Sequence, residues 1–291
     1  KIIDSLTDDL KANRIEIDTI DFQGPYFEDI DSRAKNIHLI RSWKTRAIMF
    51  KPDGSVAVPA EMLYKKNVLT IRGSFKPVTN LNVDMIQQGY KAFSTLEGVT
   101  DKNTVLIAEI SLNDLHGKDA NMTEKDIMER VQLLNLLGYN VMISDYTRYF
   151  SLRAYFRQYT QLQIGIVVGI VNIKQIFDEE YYRGMEGGIL EAFGKLFPDN
   201  TRLFVYPERD EKGELNDLNT VSVPNNLRFL FRHVLDNGFI TSIESSNLDL
   251  FNIFSREILQ QICRGQGEWV GAVPEAVSKA IMEQKLFGYR G

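Results

Sequence analysis

A Gly-Ser turn at residues 73–79, GSFKPVT, stands between an apolar, β-branched run and a helical pattern. Such a turn lets backbone N–H groups approach a phosphate, and the N-terminus of the helix that follows adds about half a positive charge. Thr79 and Asn82, three residues apart at the start of that helix, share one face and could donate hydrogen bonds to a phosphoryl oxygen. The alternative is a plain connection, in which Gly73 makes the turn and Thr79 caps the helix. Short glycine motifs also occur by chance, so spacing alone leaves both interpretations open.

The elements that must position this turn follow an alternating pattern. Continuous apolar runs predict five strands that are covered on both faces, as in a parallel sheet: Val68–Arg72, Val105–Ser111, Asn140–Ser144, Ile164–Ile170 and Arg202–Tyr206. Helical patterns separate them at Val83–Leu96, Glu124–Leu137, Tyr149–Tyr159 and Gly187–Leu196. This alternation predicts a Rossmann-like α/β domain of five mostly parallel strands, in which ligands bind beyond the carboxyl ends of the strands.

The two ends of the chain differ from this central pattern. Residues 1–66 are predicted to form an N-terminal extension that is partly β. It begins with a loop or extended arm up to about residue 35, and short strands follow in IHLIRSW and TRAIMF. The main domain is predicted over residues 67–291, and its tail, from about residue 220, is predicted to be all-helical.

Composition limits the classes of function. The formal net charge of −5 argues against wholesale nucleic-acid binding. The single cysteine excludes an internal disulfide and suits a reducing, cytoplasmic home. No apolar run reaches the roughly 18 residues that a membrane helix needs, and no Cys/His cluster has zinc-ligand spacing. We therefore expect a cytoplasmic protein that neither spans a membrane nor binds nucleic acid, and a homo-oligomer is left open.

The stretch GSFKPVTNLN at residues 73–82 resembles the first motif of the nucleotidyltransferase superfamily. It is most similar to the pattern G-S-F-x-P-[IV]-T-N-x-H of the nicotinamide/nicotinate mononucleotide adenylyltransferases. Further segments resemble that family in the same order, at residues 110–118, 168–177, 204–207 and 254–288. The resemblance covers about residues 67–291. It implies adenylyl transfer from ATP to nicotinamide or nicotinate mononucleotide, a step of NAD biosynthesis, with Mg²⁺ on the ATP phosphates.

The resemblance also implies roles for individual residues. It assigns nucleotide binding to the turn, to a lysine, to the end of the fourth strand and to the tail: Gly73, Ser74, Phe75, Lys76, Pro77, Lys118, Gly169, Asn172 and Ser255. Within this set Lys118 would meet the mononucleotide phosphate. It assigns catalysis to Thr79, Asn82 and Arg256.

The departures from the family's pattern fall on chemistry. Asn82 stands where the family has a histidine that stabilises the transition state, and Leu259 stands where it has a phosphate-binding arginine. Val171 replaces an aspartate that contacts ribose or base. A charge-assisted hydrogen bond is roughly twice as strong as a neutral one, and loss of one preorganised donor can cost about 10²–10³ in rate. Arg256 and His116 are the candidates to replace the lost charge.

Two hypotheses of different classes follow. The chain is an adenylyltransferase that has moved its phosphate-stabilising charge, or it is a catalytically degenerate nucleotide-binding or assembly module.

Two aromatic segments carry alternatives of their own. Arg148, Arg153 and Arg157 alternate with aromatic residues on one helix, as a surface for stacking nucleic-acid bases would. In such an acidic chain we expect instead that the aromatic residues pack on the sheet and that the arginines are solvated or bind acidic neighbours. Tyr181 and Tyr182 could stack on a base or pack in the core, and the sequence leaves this open.

Overall fold

The computed structural model describes residues 17–112, 123–198, 200–209 and 213–291. Its strands are β1 (Ala47–Phe50), β2 (Val56–Ala57), β3 (Asn67–Arg72), β4 (Thr104–Ser111), β5 (Asn140–Ser144), β6 (Ile164–Gly169), β7 (Thr201–Tyr206), β8 (Glu208–Arg209), β9 (Leu215–Asn216) and β10 (Ile240–Ser242). The five strands predicted from sequence are confirmed, each within one residue at either end.

The central sheet has eight strands in the order β10-β7-β6-β3-β4-β5-β1-β2. The six strands from β10 to β5 are parallel, and β1 runs antiparallel to β5. The chain moves outward from β3 to β5, returns to the centre at β6, and then moves outward the other way to β10. This order is that of a doubly wound, Rossmann-like fold, which confirms the predicted fold class.

The helices cover both faces of this sheet. They are α1 (Ser32–Arg41), α2 (Pro59–Leu63), α3 (Asn80–Phe93), α4 (Glu124–Leu136), α5 (Tyr149–Arg157), α6 (Ile170–Ile176), α7 (Gly188–Leu196), α8 (Arg228–Asp236), α9 (Ser255–Arg264) and α10 (Glu275–Gln284). One hydrophobic core lies under α1, α3, α4, α9 and α10, and a second lies under α2 and α5–α8. Over the described ranges, no helix combines the length and the apolarity that crossing a bilayer requires.

Three details of the predicted fold are wrong. The segment IHLIRSW, predicted as a strand, lies mostly in α1: Asp31 caps this helix by accepting a hydrogen bond from the Arg33 N–H at 2.9 Å, and Ile37 and Ile40 enter the core. The sheet has eight strands and not five, because β1, β2 and β10 add to its edges. The tail is not all-helical, since Ile240–Ser242 pairs with β7. The predicted division at residue 66 stays a prediction.

Candidate functional site

The centre of the sheet contains a topological switch point between β3 and β6. These strands pair directly, yet α3 after β3 packs into one core and α6 after β6 packs into the other. Ligands of open α/β sheets bind in the crevice that opens beyond the strand ends at such a point. Residues 73–82 and 169–172 both begin there. The fold therefore brings the first-motif turn to the same edge as Gly169 and Asn172.

The turn after β3 has a packing reason for its glycine. Phe75 is buried and has a left-handed backbone (φ 47°), which turns its ring back over Gly73. A Cβ atom at residue 73 would lie 2.8 Å from this ring. The Gly73 N–H donates to the Glu109 carbonyl at 3.0 Å, and Ser74 is exposed. The Gly-Ser-Phe sequence thus builds a compact turn through its own contacts.

Two side chains of α4 hold this turn. The buried Arg130 guanidinium donates to the Ser74 carbonyl at 2.9 Å and pairs with Asp126 at 2.5 Å. The other carboxylate oxygen of Asp126 lies 2.8 Å from Lys76 Nζ. Neither Asp126 nor Arg130 was predicted from the sequence as part of the site, although an arginine on the apolar side of a helix is a signal for a buried contact.

Thr79 and Asn82 form a reciprocal cap at the start of α3. The Asn82 Oδ1 atom accepts hydrogen bonds from the Thr79 N–H and hydroxyl, both at 3.0 Å, and the Asn82 N–H reaches the Thr79 hydroxyl at 3.4 Å. Thr79 is fully buried and Asn82 is half-buried. The capping interpretation of Thr79 is therefore confirmed, and its hydroxyl proton is directed at Asn82. The phosphate-binding roles of both residues stay predictions.

Asn172 caps α6 in a similar way, on the β6 side of the switch point. Its Oδ1 atom accepts from the Gly169 N–H at 3.1 Å and closes the entry to α6. Val171, which replaces the family's aspartate, is 50% exposed. A hydrophobic side chain thus projects at the strand end where the resemblance expects a polar contact to ribose or base.

The start of α9 is built differently. Phe254 precedes the helix, offers no side-chain cap and is 53% exposed. Ser255 is half-buried and Arg256 is exposed, whereas Leu259 packs partly buried against the core. The position where the family has a phosphate-binding arginine is thereby used for packing. Asn80 joins the motif helix to the tail, since its Nδ2 donates to the Gly271 carbonyl at 3.0 Å.

A buried carboxylate on α3, Asp84, binds the tail just after β10. It accepts from the Tyr206 hydroxyl at 2.5 Å, the Ser245 hydroxyl at 3.0 Å and the Ser246 N–H at 3.1 Å. Burial alone would raise the pKa of Asp84, but hydrogen bonds from Ser246, Tyr206 and Gln88 outweigh it and lower that pKa. Burial and the bond to Asp84 raise the pKa of Tyr206. This network was missed in the sequence, where Asp84 is one polar residue of an amphipathic helix.

A second missed network lies at the ends of β3, β4 and β5. The Arg72 guanidinium binds the Glu109 carboxylate in a two-pronged ion pair, at 2.6 Å and 3.1 Å, and both side chains are buried. Arg72 also donates to the carbonyls of Tyr146 and Thr147, and Ser144 donates to Glu109. The sequence signal for this network was Glu109, a glutamate inside the apolar run of β4. The pair fixes the loop after β5 against the turn.

The aromatic segments serve packing. Tyr149, Tyr155 and Phe156 are buried in the second core, which confirms the packing interpretation of α5. Its arginines were expected to be solvated or to bind acidic neighbours. Arg153 and Arg157 are instead partly buried, and they donate to the Thr201 hydroxyl and to the Thr160 and Leu162 carbonyls.

The remaining candidates differ in what the structure describes of them. Tyr182 is buried in the second core, and the half-buried Tyr181 donates to the Thr147 carbonyl at 2.5 Å. Lys118 and His116 lie outside the described residues. Among the residues that the structure does describe, no group of three or more His, Cys, Asp or Glu could hold a metal ion.

Comparisons with known proteins give similarity only at the level of structure. No family model matches the chain, and no curated protein matches it. The chain is similar to the solved structure of Plasmodium falciparum nicotinic acid mononucleotide adenylyltransferase complexed with NaAD, at 15% identity and a TM-score of 0.48, over 77% of this chain and 98% of that one. The same enzyme complexed with APC gives 12% identity and a TM-score of 0.43 with the same coverage. The assignment of the fold rests on the strand order and the crossovers, and not on these similarities.

Proposed function

We propose that this protein binds an adenine nucleotide, ATP or a dinucleotide, at the switch point between β3 and β6 and transfers its adenylyl group slowly or not at all. The observation that carries the proposal is the contrast between a turn that keeps the residues of the first motif and catalytic positions that are occupied by packing and capping groups. The order of motifs along residues 67–291 supports nucleotide as the class of ligand.

The support for binding is geometric. The turn and α3 lie at the edge where α/β sheets bind ligands, and α3 has 14 residues, so its N-terminus carries the helix's partial positive charge. In the first turn of a helix, the N–H groups of Asn80 and Leu81 have no intrahelical acceptor and suit a phosphoryl oxygen.

The support for slow transfer is electrostatic. Adenylyl transfer depends on alignment and on charge that is aimed at the phosphorus centre as negative charge builds up. Asn82 is uncharged, and its amide oxygen is engaged by Thr79. Leu259 packs against the core instead of reaching phosphate. Two of the charges that the family uses are thus missing from their positions.

An active adenylyltransferase that joins ATP to nicotinamide or nicotinate mononucleotide, with Mg²⁺, is the second candidate. The exposed Arg256 in the first turn of α9 favours it, because a flexible guanidinium one turn before Leu259 could bind the triphosphate from there.

One experiment separates the two candidates. The purified protein is titrated by calorimetry with ATP, nicotinamide mononucleotide and NAD, each with and without Mg²⁺, and pyrophosphate release is then measured on the same sample. Binding without turnover is the expected result. Binding with rapid turnover would establish the second candidate, and no binding of any of the three would overturn the nucleotide site.

A further inference from the structure

We propose that Asp126 is the counter-ion that a bound phosphate displaces from Lys76, so that Lys76 supplies the positive charge that Asn82 lacks. This inference rests on the proposed function. It adds to that function a source of charge within the turn and the two residues of α4, Asp126 and Arg130, that keep it in place.

The cluster lies within the turn at the ligand-binding edge of the sheet. Lys76 is three residues before the cap of α3, and Asp126 lies in the first turn of α4, where the Thr123 hydroxyl accepts from its N–H at 3.2 Å. One carboxylate therefore stands between two cations, with Lys76 Nζ at 2.8 Å and Arg130 Nη2 at 2.5 Å. The three side chains together carry one net positive charge.

Lys76 and Arg130 differ in how freely each side chain can move away from Asp126. The Arg130 side chain is 0% exposed and also donates to the Ser74 carbonyl, so moving it would open the turn. The Lys76 side chain is 21% exposed, and its flexible four-carbon stem carries a compact ammonium. If Lys76 turns toward a phosphate, Asp126 keeps Arg130 as its partner. Asp126 is then not left buried without a partner, which favours such an exchange.

The arrangement has a consequence for affinity. Breaking the Lys76–Asp126 pair opposes binding, and forming the Lys76–phosphate pair favours it, so the carboxylate tunes how tightly an anion is held. Lys76 should therefore matter for the phosphate part of the ligand and not for its base.

The first test compares Lys76→Gln with Lys125→Gln. Each variant removes one positive charge. Lys125 precedes Asp126 in the chain, but its side chain is 80% exposed and its ion pair with Glu129 is long, at 3.8 Å. ATP and inorganic pyrophosphate are titrated by calorimetry into each variant and the wild type. Lys76→Gln should weaken both ligands about tenfold, the value of one charge-assisted hydrogen bond. Lys125→Gln should leave both affinities within about twofold, since a surface charge is largely screened.

The second test addresses the exchange itself. Asp126→Asn should tighten pyrophosphate binding several-fold, and the same substitution in the Lys76→Gln background should not. Equal gains in both backgrounds would show that Asp126 acts by general repulsion, which would overturn the exchange.

A measurement on the wild-type fold covers the case in which Asp126→Asn does not fold. In ¹³C-labelled wild type, the carboxyl resonance of Asp126 should shift on saturation with pyrophosphate, and in Lys76→Gln it should stay in place. A resonance that does not move in the wild type would overturn the exchange.

The outcomes separate this inference from the proposed function. ATP binding that is equal in wild type and Lys76→Gln overturns the inference and leaves the nucleotide site standing. Pyrophosphate binding that depends on Lys76, without any nucleotide binding, supports the inference and overturns the proposed function. Binding of neither ligand overturns both.

Discussion

The first-motif turn and the start of α9 are the two regions that the resemblance assigns to phosphate, and they are built in opposite ways. In the turn, polar side chains satisfy one another: Arg130 holds Ser74, and Thr79 and Asn82 cap α3. At α9, the helix begins without a side-chain cap, Phe254 is exposed, and Leu259 faces the core. The contacts within the turn stabilise its shape, so they are useful even in a protein without catalysis. An arginine that only binds phosphate adds nothing to the stability of the fold.

The largest expected effect comes from Arg130→Met, which tests whether the turn is as rigid as this comparison requires. The substitution leaves Asp126 with one cation fewer and the Ser74 carbonyl without its donor. We expect the free energy of unfolding to fall by about 3–5 kcal/mol, because the buried guanidinium loses its bonds to Asp126 and to Ser74, and each such charge-assisted bond is worth about 1.5–3 kcal/mol. Chemical denaturation measures this change. Arg232→Met, on the surface of α8, is the control and should cost less than about 1 kcal/mol. Equal losses would show that the turn is not held by Arg130.

The next largest effect is expected from restoring the two catalytic side chains of the family's pattern. Asn82→His with Leu259→Arg restores both charges that the family uses. Pyrophosphate release from ATP and nicotinamide mononucleotide should rise about a hundredfold or more, the typical value of one preorganised donor.

Two controls accompany this rebuilt protein. If the double variant does not fold, Asn82→His alone is measured instead. Asn82→Gln adds no charge and should leave the rate unchanged. An unchanged rate in a folded double variant that binds ATP would mean that the site is not a decayed adenylyltransferase.

Asp84 ties α3 to Ser245 and Ser246, in the segment that leads to α9, and its variant tests that link. Asp84→Asn should lower the free energy of unfolding by about 1–3 kcal/mol at neutral pH, because Tyr206, Ser245 and Ser246 lose a charged acceptor. Denaturation of wild type and variant measures it. Gln87→Glu, an exposed site on the same helix, is the control.

The same carboxylate predicts a dependence on pH. The pKa of Asp84 is lower in the folded state than in the unfolded chain, where it is about 3.9. Its stabilisation is therefore complete above the unfolded value and is lost as the pH falls through that value toward the folded pKa. The difference in unfolding free energy between wild type and Asp84→Asn should shrink below about pH 4. A constant difference would contradict the assignment.

The smallest effect comes from the cap. Thr79→Val keeps the shape of the side chain and removes its hydroxyl, so α3 loses one acceptor at its N-terminus. Loss of such a cap costs about 1 kcal/mol. A thermal shift measurement checks this value, with Thr95→Val, an exposed residue just beyond the C-terminal end of α3, as control.

Much of the fold could be predicted because its signal is local. The buried parallel strands are continuous apolar runs, and the turn at residues 73–79 follows directly from its Gly, Pro and Thr. The errors lie where long-range contacts decide. α1 depends on a cap at Asp31 and on packing of Ile37 and Ile40, and β10 is a strand only because β7 lies beside it.

The sequence by itself determined the five central strands and their alternation with helices, the place of the turn and the three departures at Asn82, Val171 and Leu259. Only the tertiary structure decided how the polar groups of the site are used. Residues distant in sequence, such as Lys76 and Asp126 or Asp84 and Ser246, become partners only when the sheet brings their helices together. The physical reason is that hydrogen bonds and ion pairs act over a few ångströms, so a side chain's role depends on what folding places beside it.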